Sequence, residues 1–476
     1  MTGRRANLLR LWRMILIGCV ALAGCGGSRE KEGAKEIKYD ANGRIILTVN
    51  KGPMETEKNE IERARLLIEM FEKKHPDIHV VMESWVFTPE TFAVRAAANQ
   101  LTDVVDTWAT EGDTMLKNNL VSDMTPLLTA WQDFNDLRPI ILKPFERDGH
   151  YYAFPISAYS MGLYYNKSLF RKAGITDVRG EAKPPGTWEE FLATAKRLTD
   201  RKSGVCGFAI LGGDHSRAGW HFLNWGWQGG GEFIVKEGGR WRAVFNGPGV
   251  VRALQFVKDL RWKYGVLQEN VLDDQLDIMQ AFAASRVGMF IEPANEGGVV
   301  NLREKYGFNL SDLGIAPLPA GPGGRFVQMG ADYLVFRPGI SDEMKKVAFR
   351  WCEFLVSNEW KEAEWQLRKR QGLPVGAPYI PIFRGERQRQ WDAILEKYRT
   401  IPRFAEYGGV VDYSPAKELV RRAGLKTEPP YYCQQLYKEV LGPAVQEVLT
   451  NEKADPAAIL GKSAEIFQKR YLDRIK

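Results

Sequence analysis

Aromatic side chains stand beside acidic and amide side chains at several points of this chain, which contains 14 tryptophans. Trp108 is followed three residues later by Glu111, and Trp225 and Trp227 adjoin Gln228 and a run of three glycines. Indole rings stack on the apolar CH faces of pyranose rings, while carboxylates and amides form hydrogen bonds with hydroxyl groups. Residues of these types could therefore recognise a carbohydrate.

Three motifs of catalytic or cofactor-binding proteins are present only in part. Ser160 lies in a sequence similar to a nucleophile elbow, but an extended run follows it where that motif needs a helix. Gly461-Lys462-Ser463 is similar to the end of a phosphate-binding loop, but a proline replaces the first glycine of that motif. His75 and His79 have the spacing of a zinc-binding pair, but Pro76 ends the helix that would bring both rings to one metal. The sequence therefore predicts neither a metal nor a cofactor.

The elements that must position these residues alternate between strand and helix. Residues Arg44–Asn50 and Ile78–Met82 are predicted strands, and the apolar residues of Glu57–Lys74 recur at helical spacing between them. This order predicts a βαβ unit and an α/β layered fold. A capping residue predicts a helix N-terminus at Thr187, and an acidic pair predicts one at Asp342. Prolines predict two more, at Pro443 and Pro456.

Length, composition and charge narrow the class of protein. The 476 residues are two to three times the usual domain size, and 44% hydrophobic and 26% charged residues are typical of soluble globular proteins. The formal charge of +7 includes four arginines of the first 24 residues, which contain no acidic residue, so the remainder carries +3. Because its basic residues are dispersed among acidic ones, the chain shows no nucleic-acid-binding stripe.

The N-terminus resembles a bacterial lipoprotein signal. Met14–Gly24 is an apolar run, and Leu22-Ala23-Gly24-Cys25 matches a lipobox. This predicts a signal peptide at residues 1–24, a diacylglyceryl group on Cys25 and a polar tether at 25–43, so the protein would be held by its lipid on the outer face of a membrane. The alternative is an ordinary secretory leader with a chance cysteine. The mature chain has three other cysteines, Cys206, Cys352 and Cys433, which form no disulfide framework. Cys352 lies in an apolar helical stretch and is predicted to be buried.

Motifs spread over most of the mature chain match one family in order: Thr102–Val105, Gly162–Ile175, Pro184–Phe191, Gln280–Phe290, Ala316–Gly324, Phe354–Glu359 and Gly372–Val375. In these motifs the chain resembles the family 1 extracellular solute-binding proteins, the maltose-binding-protein-like components of ABC sugar importers. The resemblance implies an α/β, two-lobed periplasmic-binding-protein fold of type II, with a ligand cleft between the lobes that closes by hinge rotation. The strand-like residues Phe154–Leu163 would be the first of three links. The predicted N-lobe is 44–155 with 288–334, and the predicted C-lobe is 156–287 with 335–476.

The resemblance also implies which side chains face the cleft. Trp108 and Glu111 have the spacing of a Trp and an acidic residue in the N-lobe site of maltodextrin binders, and Tyr159 lies in the hinge strand. The predicted ligand-binding set is Trp85, Trp108, Glu111, Tyr159, Trp225, Trp227, Glu292, Asn295, Asp332 and Tyr333. The alternatives are tryptophans packed in a core, a surface Glu111 and a Tyr159 packed on its hinge neighbours. Many relatives carry Trp where this chain has Glu292 and Asn295, so the identity of the sugar stays open.

These features together predict a membrane-anchored carbohydrate receptor that delivers its ligand to the permease subunits of an ABC importer. We expect a monomer without metal, cofactor or nucleic acid, and a protein that is not an enzyme. Two alternatives remain. An exported lipoprotein that acts on glycans would need a carboxylate pair, for which Glu111 and Glu292 are candidates. A binding-protein fold that serves a sensor would keep the cleft but not the permease.

Overall fold

The computed structural model describes residues 37–377, 379–401 and 423–475. The predicted signal peptide and the predicted lipidation site at Cys25 lie outside the described residues. Within these ranges, no helix combines the length and the apolar character that a bilayer span requires.

The described strands and helices alternate along most of the chain. The strands are β1 Ile45–Val49, β2 Ile78–Met82, β3 Val104–Trp108, β4 Glu146–Arg147, β5 His150–Tyr151, β6 Phe154–Asn166, β7 Cys206–Ala209, β8 Ile234–Glu237, β9 Arg240–Ala243, β10 Val287–Pro293, β11 Leu313–Ala316, β12 Arg325–Phe336 and β13 Ala423–Lys426. The helices are α1 Lys58–Lys74, α2 Pro89–Ala97, α3 Gly112–Lys117, α4 Thr125–Ala130, α5 Pro139–Leu142, α6 Lys167–Lys172, α7 Trp188–Leu198, α8 His215–Gln228, α9 Pro248–Trp262, α10 Gln275–Ala283, α11 Glu296–Glu304, α12 Asp342–Leu355, α13 Asn358–Arg370, α14 Gly385–Tyr398, α15 Cys433–Gln435, α16 Gly442–Thr450 and α17 Pro456–Arg470.

The chain begins its main sheet with the predicted βαβ unit. Strands β1 and β2 pair in parallel, with Ile45 opposite Ile78 and Val49 opposite Met82. Helix α1 connects them and buries Ala64, Leu67 and Phe71, which recur at helical spacing. The βαβ prediction is confirmed.

Two long antiparallel strands, β6 and β12, connect the two halves of the molecule. Around the middle of both strands, Gly330 lies opposite Tyr159 and Met329 opposite Ser160. The C-terminal half of β12 pairs with β3, and the C-terminal half of β6 pairs with β10 and β11. The sheet order is β2-β1-β3-β12-β6-β10-β7, with β11 and β13 paired to β6 and β12. One sheet therefore passes through both lobes at these two strands.

Each lobe has its own hydrophobic core. The residues that form each core differ from the residue ranges predicted for the two lobes. The first core joins residues 47–158 with 329–398, so helices α12 to α14 belong to it; the Trp351 ring, for example, lies 5.0 Å from that of Phe71. The second lobe joins residues 161–327 with 433–472, so β10 and β11 belong to it, and Ala377 and Ile401 also pack against this lobe. Segment 288–327 therefore lies in the second lobe and segment 335–398 in the first. The reason is that β10 pairs with the half of β6 that has already left the first lobe.

Local signals for helix ends are confirmed at most predicted positions. The Thr187 hydroxyl accepts a hydrogen bond from the backbone N–H of Glu190, 3.2 Å away, and α17 begins at Pro456 behind the cap Asp455. Pro443 is the second residue of α16, as predicted for a residue at a helix start, and the π-helical residues Leu436–Leu441 run directly into that helix. Cys352 is buried, as predicted.

The last residues of the predicted tether pack on the first lobe. Tyr39 forms an isolated antiparallel bridge with Ile45. Arg44 forms ion pairs of 2.7 Å with both Asp40 and Glu72. Within the described residues, folded structure therefore extends into the segment 25–43 that we predicted to be a solvated tether.

Candidate ligand-binding cleft

The first lobe presents polar side chains where β1 and β3 end beside β12. Lys51, two residues after the end of β1, places its Nζ 3.0 Å from both carboxylate oxygens of Asp106. Burial raises the pKa of the Asp106 carboxyl, and the ammonium of Lys51 opposes that rise. Asp332 lies opposite Trp108 in the β3–β12 ladder and accepts a hydrogen bond of 2.6 Å from the Ser157 hydroxyl. The carboxyl ends of parallel strands thus form one polar edge.

Trp108 is the half-exposed aromatic residue at this edge. Its side chain is 37% exposed, although the preceding residues of β3 are buried. The edge of its ring packs against Phe87, with ring centroids 5.2 Å apart at 81°. A ring held from one side and open on the other is suited to stacking on a ligand.

Glu111 is buried in a 3₁₀ turn, Ala109–Glu111, that faces the second lobe. Its carboxylate accepts a hydrogen bond of 3.0 Å from the hydroxyl of Thr110. Gln434 of the second lobe donates to the same hydroxyl over 3.2 Å. Burial raises the pKa of the Glu111 carboxyl. The alternative of a solvated surface glutamate does not hold.

Tyr159 lies where the two lobes meet, on β6. Its ring covers Gly330 so closely that a Cβ atom added at that glycine would lie 2.4 Å from the ring. Burial, together with the carboxylates of Asp332, Glu428 and Glu292, raises the pKa of its hydroxyl well above the ordinary value. Carboxylates of both lobes therefore contribute to the raised pKa of the Tyr159 hydroxyl.

The second lobe contributes Glu428, which sequence reasoning missed. Its carboxylate accepts hydrogen bonds from Trp220 Nε1 at 2.8 Å, from Gln328 Nε2 at 2.9 Å and from the Tyr437 hydroxyl. Burial raises the pKa of Glu428 to about 8. Its sequence neighbours carry no motif, and two of its three donors, Trp220 and Gln328, lie 208 and 100 residues away in the chain. No local signal could have found it.

Glu292 lies within β10, on the side of the cleft opposite Trp108. It is 4% exposed, accepts a hydrogen bond from Gln275 and lies 4.0 Å from the guanidinium of Arg217. Burial raises its pKa to about 7. Behind it, an enclosed space of about 20 Å³ is lined by Glu292, Gln275, His221 and Trp225. This space has room for about one water molecule.

A larger cavity of about 300 Å³ opens between the lobes. Its walls include Thr110, Asp113 and Arg147 of the first lobe and Trp241, Glu428 and Tyr431 of the second. The volume is at the lower end of the range for small-molecule sites. Among the described residues, no cluster of three or more potential ligand side chains could hold a metal ion.

The structure does not bring five of the predicted site residues into the cleft as ligand contacts. Trp225 and Trp227 lie inside α8, 2% and 3% exposed, and pack in the second core. Tyr333 is buried on the opposite face of β12 from Asp332 and donates a hydrogen bond of 2.6 Å to the Ile141 carbonyl. Trp85 is buried in the first core, and the Asn295 side chain caps α11 by accepting from Gly298.

Known proteins with related sequences bind several small solutes. The sn-glycerol-3-phosphate-binding periplasmic protein UgpB of Brucella melitensis is 28% identical over 233 residues, covering 48% of this chain and 50% of its own. The melibiose/raffinose/stachyose-binding protein MelE of Bacillus subtilis is 30% identical over 202 residues, covering 41% and 42%. The chain spans about half the length of the curated relatives it matches.

Solved structures confirm the two-lobed fold. The solute-binding protein of an ABC transporter from Thermotoga lettingae TMO, bound with α-D-tagatose, superimposes with a TM-score of 0.68 at 21% identity over 89% of this chain and 99% of that one. The family described as bacterial extracellular solute-binding protein matches residues 51–362. This match covers more than half of the chain. The chain therefore belongs to the bacterial extracellular solute-binding protein family.

Proposed function

We propose that this protein is an extracytoplasmic carbohydrate receptor that closes its two lobes around a sugar and delivers it to the permease of an ABC importer. The observation that carries the proposal is the position of Tyr159. It lies on a strand shared by both lobes, with charged groups of both lobes around its hydroxyl. A ligand at this point touches both lobes at once, so it stabilises the closed form.

The chemistry around that point suits a sugar. Trp108 offers a half-exposed ring, and Asp332, Glu292 and Glu428 offer carboxylate oxygens to hydroxyl groups. Two relatives are named for the binding of sugars or were solved with one. These names support the proposal for a protein with the same fold.

Closure would couple recognition to delivery. The lobes are joined by β6 and β12, extended strands whose backbone angles can change by small amounts at several residues. A permease that binds only the closed shape would receive only loaded receptor. A binding protein of this kind does not consume its ligand, so the proposal predicts no turnover.

A lipid on Cys25 would hold the receptor at the membrane. The lipobox sequence supports this part of the proposal. Cys25→Ala is expected to move the protein from the membrane fraction to the soluble fraction and to abolish labelling by radioactive palmitate. A variant that stays membrane-bound would contradict the lipid anchor and leave the receptor function untouched.

Ligand binding is tested with the chain lacking residues 1–24. We expect at least one mono- or oligosaccharide of a broad panel to raise the midpoint of thermal unfolding and to change tryptophan fluorescence, because a ligand bound only to the folded state stabilises it. Chromatography of the recovered sugar should show it unchanged, and sedimentation should show a monomer. Cleavage of any glycan would overturn the receptor proposal in favour of an exported enzyme.

A further inference from the structure

We propose that His221 is a positioning residue of the cleft, which holds the carboxyl group of Glu292 in place through one bound water molecule. The water site is the enclosed space behind Glu292. The effect of this arrangement on ligand binding rests on the carbohydrate-receptor function proposed above, whereas the water itself is a property of the protein without ligand.

The enclosed space lies at the carboxyl end of a parallel strand pair in the second lobe. Strands β7 and β10 pair in parallel, with Ala209 opposite Phe290. The residues directly after β7 and the last part of β10 line the space. The carboxyl ends of parallel strands are where α/β proteins place ligand sites. The space is therefore the counterpart, in the second lobe, of the polar edge that β1 and β3 form in the first.

One face of helix α8 borders this region. Arg217, His221 and Trp225 follow one another at intervals of four residues, so they lie along the same side of the helix. Arg217 lies 4.0 Å from the carboxylate of Glu292. Trp225, two turns further along, is 2% exposed and belongs to the second core. His221 therefore lies between a charged group and an apolar core.

His221 has a buried nitrogen atom that no group of the described residues satisfies. This atom is Nε2, and the side chain, which is 7% exposed, lines the enclosed space. Burial, together with the charge of Arg217, lowers the pKa of His221 to about 3, so the ring is neutral. Buried polar atoms in proteins are nearly always paired with a protein group or with ordered water. A partner for Nε2 is therefore expected inside the space.

Glu292 supplies the second polar group. Its contacts with Gln275 Nε2 and with Arg217 Nη1, within the described part of the chain, both use the Oε1 atom. The Oε2 atom can therefore take a further partner. The carboxylate of Glu292 also contributes to the raised pKa of the Tyr159 hydroxyl, which places it near the pivot of the cleft. The same side chain thus borders both the enclosed space and the cleft.

One water molecule fits these partners and this volume. The space of about 20 Å³ takes about one water, and a buried water is stable where it has two or more polar partners. A water can donate to His221 Nε2 and to Glu292, or accept from Glu292 when that carboxyl group is protonated. With Gln275 on one oxygen and the water on the other, the carboxyl group keeps one orientation. His221 then acts on the ligand only through the water and Glu292.

The water is tested without any ligand. A crystal structure of the chain lacking residues 1–24, at a resolution that shows ordered water, is expected to place one water about 2.7 to 3.2 Å from both His221 Nε2 and a carboxyl oxygen of Glu292. In His221→Phe the site loses its polar nitrogen, so the water should be lost and the Glu292 carboxyl group should adopt a second orientation. An unchanged protein in which the space is dry, or in which Nε2 pairs directly with a protein group, would overturn the proposal.

The effect on binding is tested with a sugar that the thermal-unfolding panel identifies. Calorimetry is expected to show at least about fivefold weaker binding to His221→Phe, because Glu292 loses one of the hydrogen bonds that orient it. His221→Gln should bind nearly as tightly as the unchanged protein, since the amide of glutamine reaches the place of Nε2 and retains the water. His215→Gln is the matched control on the same helix, because His215 bonds to Gln446 and does not line the space.

A merely structural role of His221 predicts a different pattern. Urea unfolding gives the stability of each variant, and loss of stability with unchanged binding in His221→Phe would make His221 a packing residue and overturn the proposal. A ligand hydroxyl group in place of the water would also overturn it, because His221 would then contact the ligand directly. A panel without any binder would overturn the receptor function alone, since the crystal structures would still decide whether the water is present and orients Glu292.

Discussion

The Nζ atom of Lys117 lies 3.0 Å from the hydroxyl of Tyr432 and 5.1 Å from the centroid of its ring. Lys117 ends α3 in the first lobe, and Tyr432 precedes α15 in the second. Tyr432 adopts a left-handed conformation, with φ at 52°, which is unfavourable for a residue with a side chain. With the Gln434–Thr110 hydrogen bond, this contact joins the lobes beside the cavity without any ligand.

Tyr432→Phe is therefore expected to favour the open form. The change removes one exposed hydrogen bond between the lobes, which is worth about 0.5 to 1 kcal/mol. We expect a larger radius of gyration in small-angle scattering and two- to fivefold weaker ligand binding. Lys438→Ala is the control, because its 3.6 Å contact with Glu90 lies between two largely exposed side chains. Equal effects of both variants would argue against a specific contact at Tyr432.

Trp108→Ala is expected to weaken ligand binding and to leave folding nearly intact. Because the ring is 37% exposed, its loss removes little core packing, whereas a stacked cleft aromatic contributes about 2 to 4 kcal/mol to binding. Calorimetry and urea unfolding separate the two effects. Trp225→Ala is the contrasting variant, and we expect it to cost about 3 to 5 kcal/mol of stability because Trp225 is buried. Loss of stability in Trp108→Ala would show that Trp108 is a packing residue.

Gly330→Ala should displace the ring of Tyr159. A Cβ atom at Gly330 would lie 2.4 Å from that ring, and the glycine has no left-handed backbone that would add strain. We expect at least tenfold weaker ligand binding from the misplaced tyrosine. Gly461→Ala in α17 is the matched control: open space surrounds that position, so alanine should stabilise the helix by about 0.5 to 1 kcal/mol. A Gly330→Ala variant with unchanged affinity would exclude Tyr159 from the site.

The stability of the ligand-free protein should fall as pH rises from about 4 to 8. Burial raises the pKa of Glu428 to about 8, above the value of about 4.3 in an unfolded chain. Between these pH values the folded state binds more protons than the unfolded state, so the free energy of unfolding decreases with pH by at most about 1.4 kcal/mol per unit for this group. Glu292, with its pKa raised to about 7, acts in the same direction.

Urea unfolding at pH 5 and pH 8 checks this dependence. Glu428→Gln cannot ionise, so its stability should decrease less over the interval than that of the unchanged protein. Glu237→Gln should retain the full decrease, because the side chain it replaces is exposed. Equal pH dependence in all three proteins would mean that Glu428 ionises freely in the folded state.

The sequence predicted the fold where the signals are local. Hydrophobic spacing located β1, α1 and β2, and the predicted α/β class follows from them. The lobe boundaries were less accurate because strand pairing at β10 depends on contacts with β6, more than a hundred residues away in the chain. Such partners leave no pattern in a single sequence.

The glycine run after Trp227 shows why part of the site was predicted wrongly. We predicted that Trp225 and Trp227 beside this run contact the ligand, but these glycines allow close packing: a Cβ atom at Gly229 would lie 2.2 Å from the carbonyl oxygen of Gly249. The adjacent tryptophans are accordingly in a tight core. Side chains alternate between the two faces of a strand, so Asp332 and its neighbour Tyr333 lie on opposite faces of β12.

The shared strands also bear on the order in which ligand contacts form. In a rotation about an axis, groups near the axis move little, and groups far from it move in proportion to their distance. Tyr159 and Asp332 lie on β6 and β12, at the pivot, so we expect their geometry to be nearly the same before and after closure. A sugar would first meet this fixed pair and then collect the contacts of Trp108 and Glu428 as the lobes rotate. Early discrimination between ligands would then depend on the pivot, and the lifetime of the complex on the more distant contacts.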